Sequence, residues 1–205
     1  MTTTTDGRAT SLQDRVIKIL TTPTTEWPVI AGESTDVATL YTGYIALLAA
    51  IPAVASFFGS TMIGLPLLGR TPMTYAFVTM VLTYAASLAT VYISALIIDK
   101  LAPSFDSTPS FIQALKLVAY SMTAGWVAGV LNIIPMLGIL TLLAALYGVY
   151  LFYLGVPVLM KTPDEKRIIY MIVAAVVIFL INVVLIVVVG SIVGVMAGTA
   201  ALATI

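Results

Sequence analysis

Four stretches of the chain carry no charged residue: 37–69, 71–98, 117–160 and 168–205. A membrane-crossing helix needs about 20 consecutive apolar residues. The 44-residue stretch 117–160 would be roughly 66 Å long as one helix, about twice the hydrocarbon thickness, so it must fold back. Asn132-Ile-Ile-Pro135 supplies the break, because proline removes a helical hydrogen bond and clashes with the preceding turn. The pattern therefore predicts five spans, at about 38–60, 73–98, 111–133, 136–159 and 168–190. Residues 168–205 would reach about 57 Å as one helix. The expectation there is one span and an apolar tail, with a re-entrant tail as the alternative.

The first 36 residues read differently. In "TSLQDRVIKILTTPTTEWPVIAGESTD", Leu12, Val16, Ile19 and Leu20 share one helical face, and Arg15 and Lys18 lie off it. Thr10 or Ser11 is placed to cap this helix, and Pro23 follows its end. Such a segment suits either the membrane interface, with its cations toward anionic lipid, or the cytoplasmic ends of the spans. Trp27 and Pro28 stand where an interfacial anchor is expected. The chain divides into a cytoplasmic segment, 1–36, and a five-span domain, 37–205.

Composition agrees: 60% of residues are hydrophobic and 9% charged, against about 25% charged in soluble domains. The class is all-α, a polytopic integral membrane protein. With an N-terminus in the cytoplasm, eight of the nine basic residues fall inside and only Arg70 outside, a strong positive-inside bias. The C-terminus is then extracytoplasmic. No cleavable signal peptide is expected. The chain has no His and no Cys, which excludes metal sites built on either, cysteine nucleophiles and serine–histidine machinery. A net charge of zero and no basic patch argue against nucleic acid. No metal, no cofactor and no catalytic residue is expected.

Candidate chemistry is sparse. Tyr147, Tyr150 and Tyr153 recur every third residue before the charged run Lys161, Asp164, Glu165, Lys166 and Arg167. Tyr153 suits the interface; the inner two should face other helices, because a buried hydroxyl needs a partner. They read either as packing with interhelical hydrogen bonds or as a polar path for a solute. Asn182, near the middle of the fifth span, is expected to glue helices together rather than to bind substrate. Lys116 is expected to snorkel to the surface beside Gln113. Ser121, Gly125 and Gly129 form one small-residue face, and Gly190, Gly194 and Gly198 another; each serves packing within the chain or homo-oligomerisation. Glu26, Glu33, Asp36, Asp164 and Glu165 are the carboxylates available to a cytoplasmic enzyme site, but helix-terminus electrostatics account for the last three.

Three blocks carry a family resemblance: "RVIKILTTPTTEWPVIAGE" at 15–33, "ALKLVAYSMTAGWVAGVLNIIPMLG" at 114–138 and "LYGVYLFYLGVPVLMKTP" at 146–163. With them the chain resembles the prokaryotic branch of the Yip family of membrane proteins, named for interaction with Rab-type GTPases. The resemblance implies five spans with the N-terminus inside, and no catalysis. It implies a scaffold or adaptor in the prokaryotic inner membrane, bound to the bilayer and to membrane or cytoplasmic proteins. Arg15, Lys18, Trp27, Lys161, Lys166 and Arg167 are the expected partner or lipid contacts. The alternative is a small transporter or channel lined by Tyr147, Tyr150 and Asn182.

Overall fold

Without water to bond it, backbone in lipid must satisfy its own polar groups, and helices do so within one segment. A computed structural model describes residues 11–64 and 69–202, with side chains through Val195; the candidate cap Thr10 and the side-chain surroundings of Gly198 lie outside that range. Two short helices come first, α1 (Leu12–Thr21) and α2 (Pro23–Gly32). Five long apolar helical segments follow: α3 (Val37–Ile63), α4 (Met73–Phe105), α5 (Phe111–Ile133), α6 (Pro135–Leu159) and α7 (Asp164–Leu202). Each of the five expected spans is present.

Local chemistry sets the boundaries. Ser11 caps α1 by accepting the Asp14 N–H at 3.1 Å, and the Asp36 carboxylate accepts the Thr39 N–H at 2.7 Å at the start of α3. Those bonds hold the Asp36 carboxyl below its ordinary pKa. Between α5 and α6, the helix tightens to 3-10 geometry on both sides of Ile134, which is extended at φ −107° and ψ 101°. A residue before proline avoids the helical region, so Pro135 turns the chain there. Span α3 widens into π-helical turns at Tyr41–Ile45 and Gly59–Ile63, on either side of Pro52. Span α5 presses closely on it: a Cβ at Gly129 would lie 2.5 Å from the Cβ of Pro52.

Two differences from the expected pattern matter. The segment before the first span holds two helices rather than one. Pro23 occupies the first turn of α2, where its missing N–H costs nothing, and Pro28 is carried inside the same helix. At the other end, α7 runs unbroken for 39 residues, with neither a turn nor a re-entrant tail before Leu202.

The core lies where α1 and α2 meet α3, α5 and α6. Span α5 is its centre, 67% buried over its most apolar window, whereas the window of α7 is 6% buried. Helix α7 leans chiefly on α4. There the Tyr170 hydroxyl donates to the Ile98 carbonyl, and Phe105 stacks on Tyr170 with ring centroids 4.9 Å apart.

Candidate functional site

Glu26 and Glu33 are seven residues apart, two helical turns, so α2 brings them to one side. Arg15 on α1 reaches both: its two terminal nitrogens donate to Glu26 Oε1 and Glu33 Oε1 respectively. Arg15 and Glu26 are each 5% exposed. Only a guanidinium offers a planar fork of donors that binds two carboxylates at once. The same group lies over the Tyr120 ring of α5, 5.8 Å from its centroid, a cation–π approach.

Lys116 completes the network. Its Nζ donates to the carbonyls of Ile30 at 2.8 Å and Glu33 at 2.5 Å. These carbonyls belong to the C-terminal turn of α2, where a cation complements the helix dipole. Gln113, one turn earlier on α5, donates to the Ala31 carbonyl at 3.1 Å. Two cations and two carboxylates therefore meet with no net charge, beneath a hairpin made of α1 and α2.

Aromatic packing fixes the depth of that hairpin. Trp27 is fully buried and meets Tyr120 edge-on at 6.3 Å. Tyr120 packs in turn on Tyr44 of α3 at 4.7 Å, and the Tyr44 hydroxyl bonds to Thr123 Oγ1 at 2.7 Å. Gly155 of α6 makes room for the indole: a Cβ there would lie 2.9 Å from Trp27 and 2.6 Å from Leu117. At the hairpin's tip the Tyr147 hydroxyl donates to the Leu20 carbonyl at 2.7 Å, in the last turn of α1.

This placement corrects several expectations. Arg15 and Trp27, expected to meet partners or lipid, are spent inside the chain: the Arg15 charge is buried with its carboxylates, and the Trp27 ring is packed against Tyr120, with its indole N–H left without a hydrogen-bond partner. Lys116 does not snorkel; it is 1% exposed and held by backbone carbonyls. Among the tyrosines, Tyr147 has its interhelical hydrogen bond, but Tyr150 does not face a neighbouring helix and is 46% exposed. Its ring lies 5.6 Å from that of Tyr147. Tyr153 is half-buried under the Arg167 guanidinium, 4.8 Å from ring centroid to Cζ.

Of the remaining candidates, Lys18 and Lys161 are exposed, Lys166 pairs with Asp106, and Arg167 pairs with Asp164. Asn182 bonds to the Ile178 carbonyl at 2.9 Å in its own helix and glues no second helix. Gly129 packs within the chain against Pro52, whereas a Cβ at Gly125, Gly190 or Gly194 would meet nothing within 4 Å. Glu26 and Glu33 form ion pairs with Arg15 rather than a free carboxylate cluster. Among the described residues, no three acidic side chains gather as a metal site would require.

The three sequence blocks that carried the resemblance thus converge. Arg15, Glu26, Trp27 and Glu33 come from the first, Lys116 and Tyr120 from the second, and Tyr147 and Gly155 from the third. The fold defines a five-span helical membrane protein with a docked N-terminal hairpin. A family model for the Yip1 domain matches residues 17–186, and the chain belongs to the Yip1 domain family. It is similar to inner membrane protein YohC of Escherichia coli strain K12, at 28% identity over 151 residues covering 70% of this chain and 77% of that protein. The YohC of Escherichia coli O6:H1 aligns with the same identity and coverage. No solved structure matches the chain.

Proposed function

We propose that this protein is a non-enzymatic scaffold or adaptor of a prokaryotic inner membrane, with its N-terminus and docked hairpin on the cytoplasmic side. One observation carries the reading: the charged groups of the hairpin site are committed to one another and to backbone carbonyls. Arg15 is committed to Glu26 and Glu33, and Lys116 to backbone carbonyls. A site that hydrolyses or transfers would keep a titratable group facing an open pocket. The similarity to YohC supports the inner membrane as the location. The sidedness rests on charge. The hairpin, the 106–110 connection and the 160–163 loop share one end, tied by the Thr108 N–H to the Met160 carbonyl at 2.7 Å and by Lys166 to Asp106. Among the described residues, that end holds the basic residues other than Arg70, as the positive-inside rule asks of a cytoplasmic face.

The surface offered to a partner is the outer side of α1, with Gln13, Asp14, Ile17 and Lys18 exposed, and the loop bearing Lys161. Ile17 is 58% exposed, an apolar contact among polar ones. Photo-crosslinking residues placed at Ile17, Lys18 or Lys161 should trap the same protein partner in native membranes, and one at buried Ile19 should not. Equal trapping at all four positions, or none at any, sinks the adaptor reading. The transporter alternative draws less support, since the Tyr147 hydroxyl is used by α1 and Asn182 by its own helix. Solute flux through liposomes that is lost in Asn182→Leu would revive it.

A further inference from the structure

Because α7 leans on α4, its other side stands away from α6 and leaves a groove of about 880 Å³ walled by α4, α5, α6 and α7. The groove is open at the seam between α6 and α7. Val149 on one lip and Ile168 and Ile172 on the other both line it and are 58%, 62% and 56% exposed. Its walls are apolar apart from Tyr153 at the rim, a set of hydroxyls deeper in, and Asn182, whose side-chain amide donates to the Ile178 carbonyl of its own helix; the first two point to the occupant.

The first exception is at the rim. Tyr153 lines the groove, and Arg167 lies over its ring. Arg167 donates to Asp164 through Nη2, while its Nε–H is buried without a partner. Exposed Lys161 stands in the loop at the same end, as do Asp164 and Glu165. Arg167 does not line the groove itself, but its guanidinium covers Tyr153 at the rim, and a cation beside the mouth of an apolar groove is complementary to a phosphate. The second exception is deeper. Ser121 is 5% exposed, lines the groove beside Thr90 and Ser94, and its hydroxyl has no hydrogen-bond partner. A buried unpaired hydroxyl is costly unless something accepts from it. Ser121 packs at the level of Gly148, five residues along α6 from Tyr153, or about 7.5 Å. A phospholipid carries an anionic phosphate, then ester carbonyls a few ångströms further on, then hydrocarbon. The groove presents a cation, then hydroxyl donors, then apolar walls in that order.

We propose that this groove is a binding site for one anionic phospholipid, its phosphate on Arg167, its ester carbonyls at Ser121 and its acyl chains between α6 and α7. The site is separate from the hairpin and does not depend on the adaptor reading. The test is native mass spectrometry of the delipidated full-length protein, titrated with phosphatidylglycerol or phosphatidylcholine of identical acyl chains. The native chain should take one phosphatidylglycerol with at least tenfold preference. Arg167→Gln should erase the preference, bringing the two lipids within about twofold while leaving phosphatidylcholine binding unchanged. Gly125→Leu projects into open groove space and should weaken both lipids tenfold or more; Ala175→Phe, from the opposite wall, should do the same. Gly190→Leu, open but outside the groove, should change neither. Equal binding of the two lipids by the native chain overturns the proposal, as does undiminished binding in both Gly125→Leu and Ala175→Phe. A mass showing a second copy of the chain in place of lipid overturns it too.

Discussion

Spans α5 and α7 are both apolar helices of one bundle, yet they obey different rules. Span α5 is two-thirds buried and touches the hairpin, α3, α4 and α6. Its side chains are Lys116, Tyr120, Thr123 and Trp126, each with a defined place in the core. Span α7 is far more hydrophobic, with a mean hydropathy of 3.5 against 1.4, and is nearly bare. In water the more hydrophobic helix would be the buried one. In lipid the ranking inverts, because burial between helices gains nothing for Ile or Val that the bilayer does not already supply. Specific packing then falls to small, aromatic and polar residues.

The comparison breaks most easily at Arg15. Arg15→Ala leaves Glu26 buried without its cation, a loss of roughly 3–5 kcal/mol for such pairs. The hairpin should undock. The chain has no native cysteine, so Ile19→Cys gives a clean probe, unlabelled by maleimide in the native background and labelled at least tenfold faster with Arg15→Ala. Gly155→Leu should act next, driving a side chain into Trp27 and Leu117 at about 1–3 kcal/mol in detergent denaturation. Tyr147→Phe deletes one hydrogen bond to α1 and should cost about 0.5–1.5 kcal/mol by the same assay. Ile186→Ala or Val187→Ala on the bare side of α7 should shift stability by less than about 0.5 kcal/mol. A large effect there would mean that a partner covers α7.

The smallest effect concerns pH. The Asp36 carboxyl is lowered by the Thr39 N–H. A depressed carboxyl stabilises the folded state above its unfolded pKa, and that contribution fades as pH falls through the folded value. Asp36→Asn should therefore flatten a slight acid-side weakening below about pH 4 and change nothing at pH 7.

The spans were readable because two unambiguous signals punctuate them, charge at four boundaries and Pro135 at the fifth. The hairpin was not. Helix α2 carries two prolines, two threonines and a glycine among ten residues, which reads as loop. Its buried face, Pro23, Glu26, Trp27 and Ile30, includes a charge, while Val29 on the other side is exposed, so it shows no apolar stripe to detect. Arg15 lies off the apolar face of α1, and only folding of the hairpin brings carboxylates 11 and 18 residues away to meet it. The seven-residue spacing of Glu26 and Glu33 was the one available signal, and it needed a helix through two prolines to mean anything. Tyr147 was a partial success: its need for a partner followed from chemistry, but the identity of that partner, a carbonyl 127 residues away, did not.

The 39 residues of α7 have one more consequence. At about 1.5 Å per residue they make a rod of roughly 58 Å, in a hydrocarbon layer about 30 Å thick. Even at about 40°, the steep end of observed tilts, the layer takes up only some 39 Å of helix. Nearly 20 Å remains, and from Ile168 onward the helix carries no charge to solvate it. Such a rod is mismatched to a bilayer of ordinary thickness. It should draw thicker lipid around itself, and the protein should collect where the membrane is thickest.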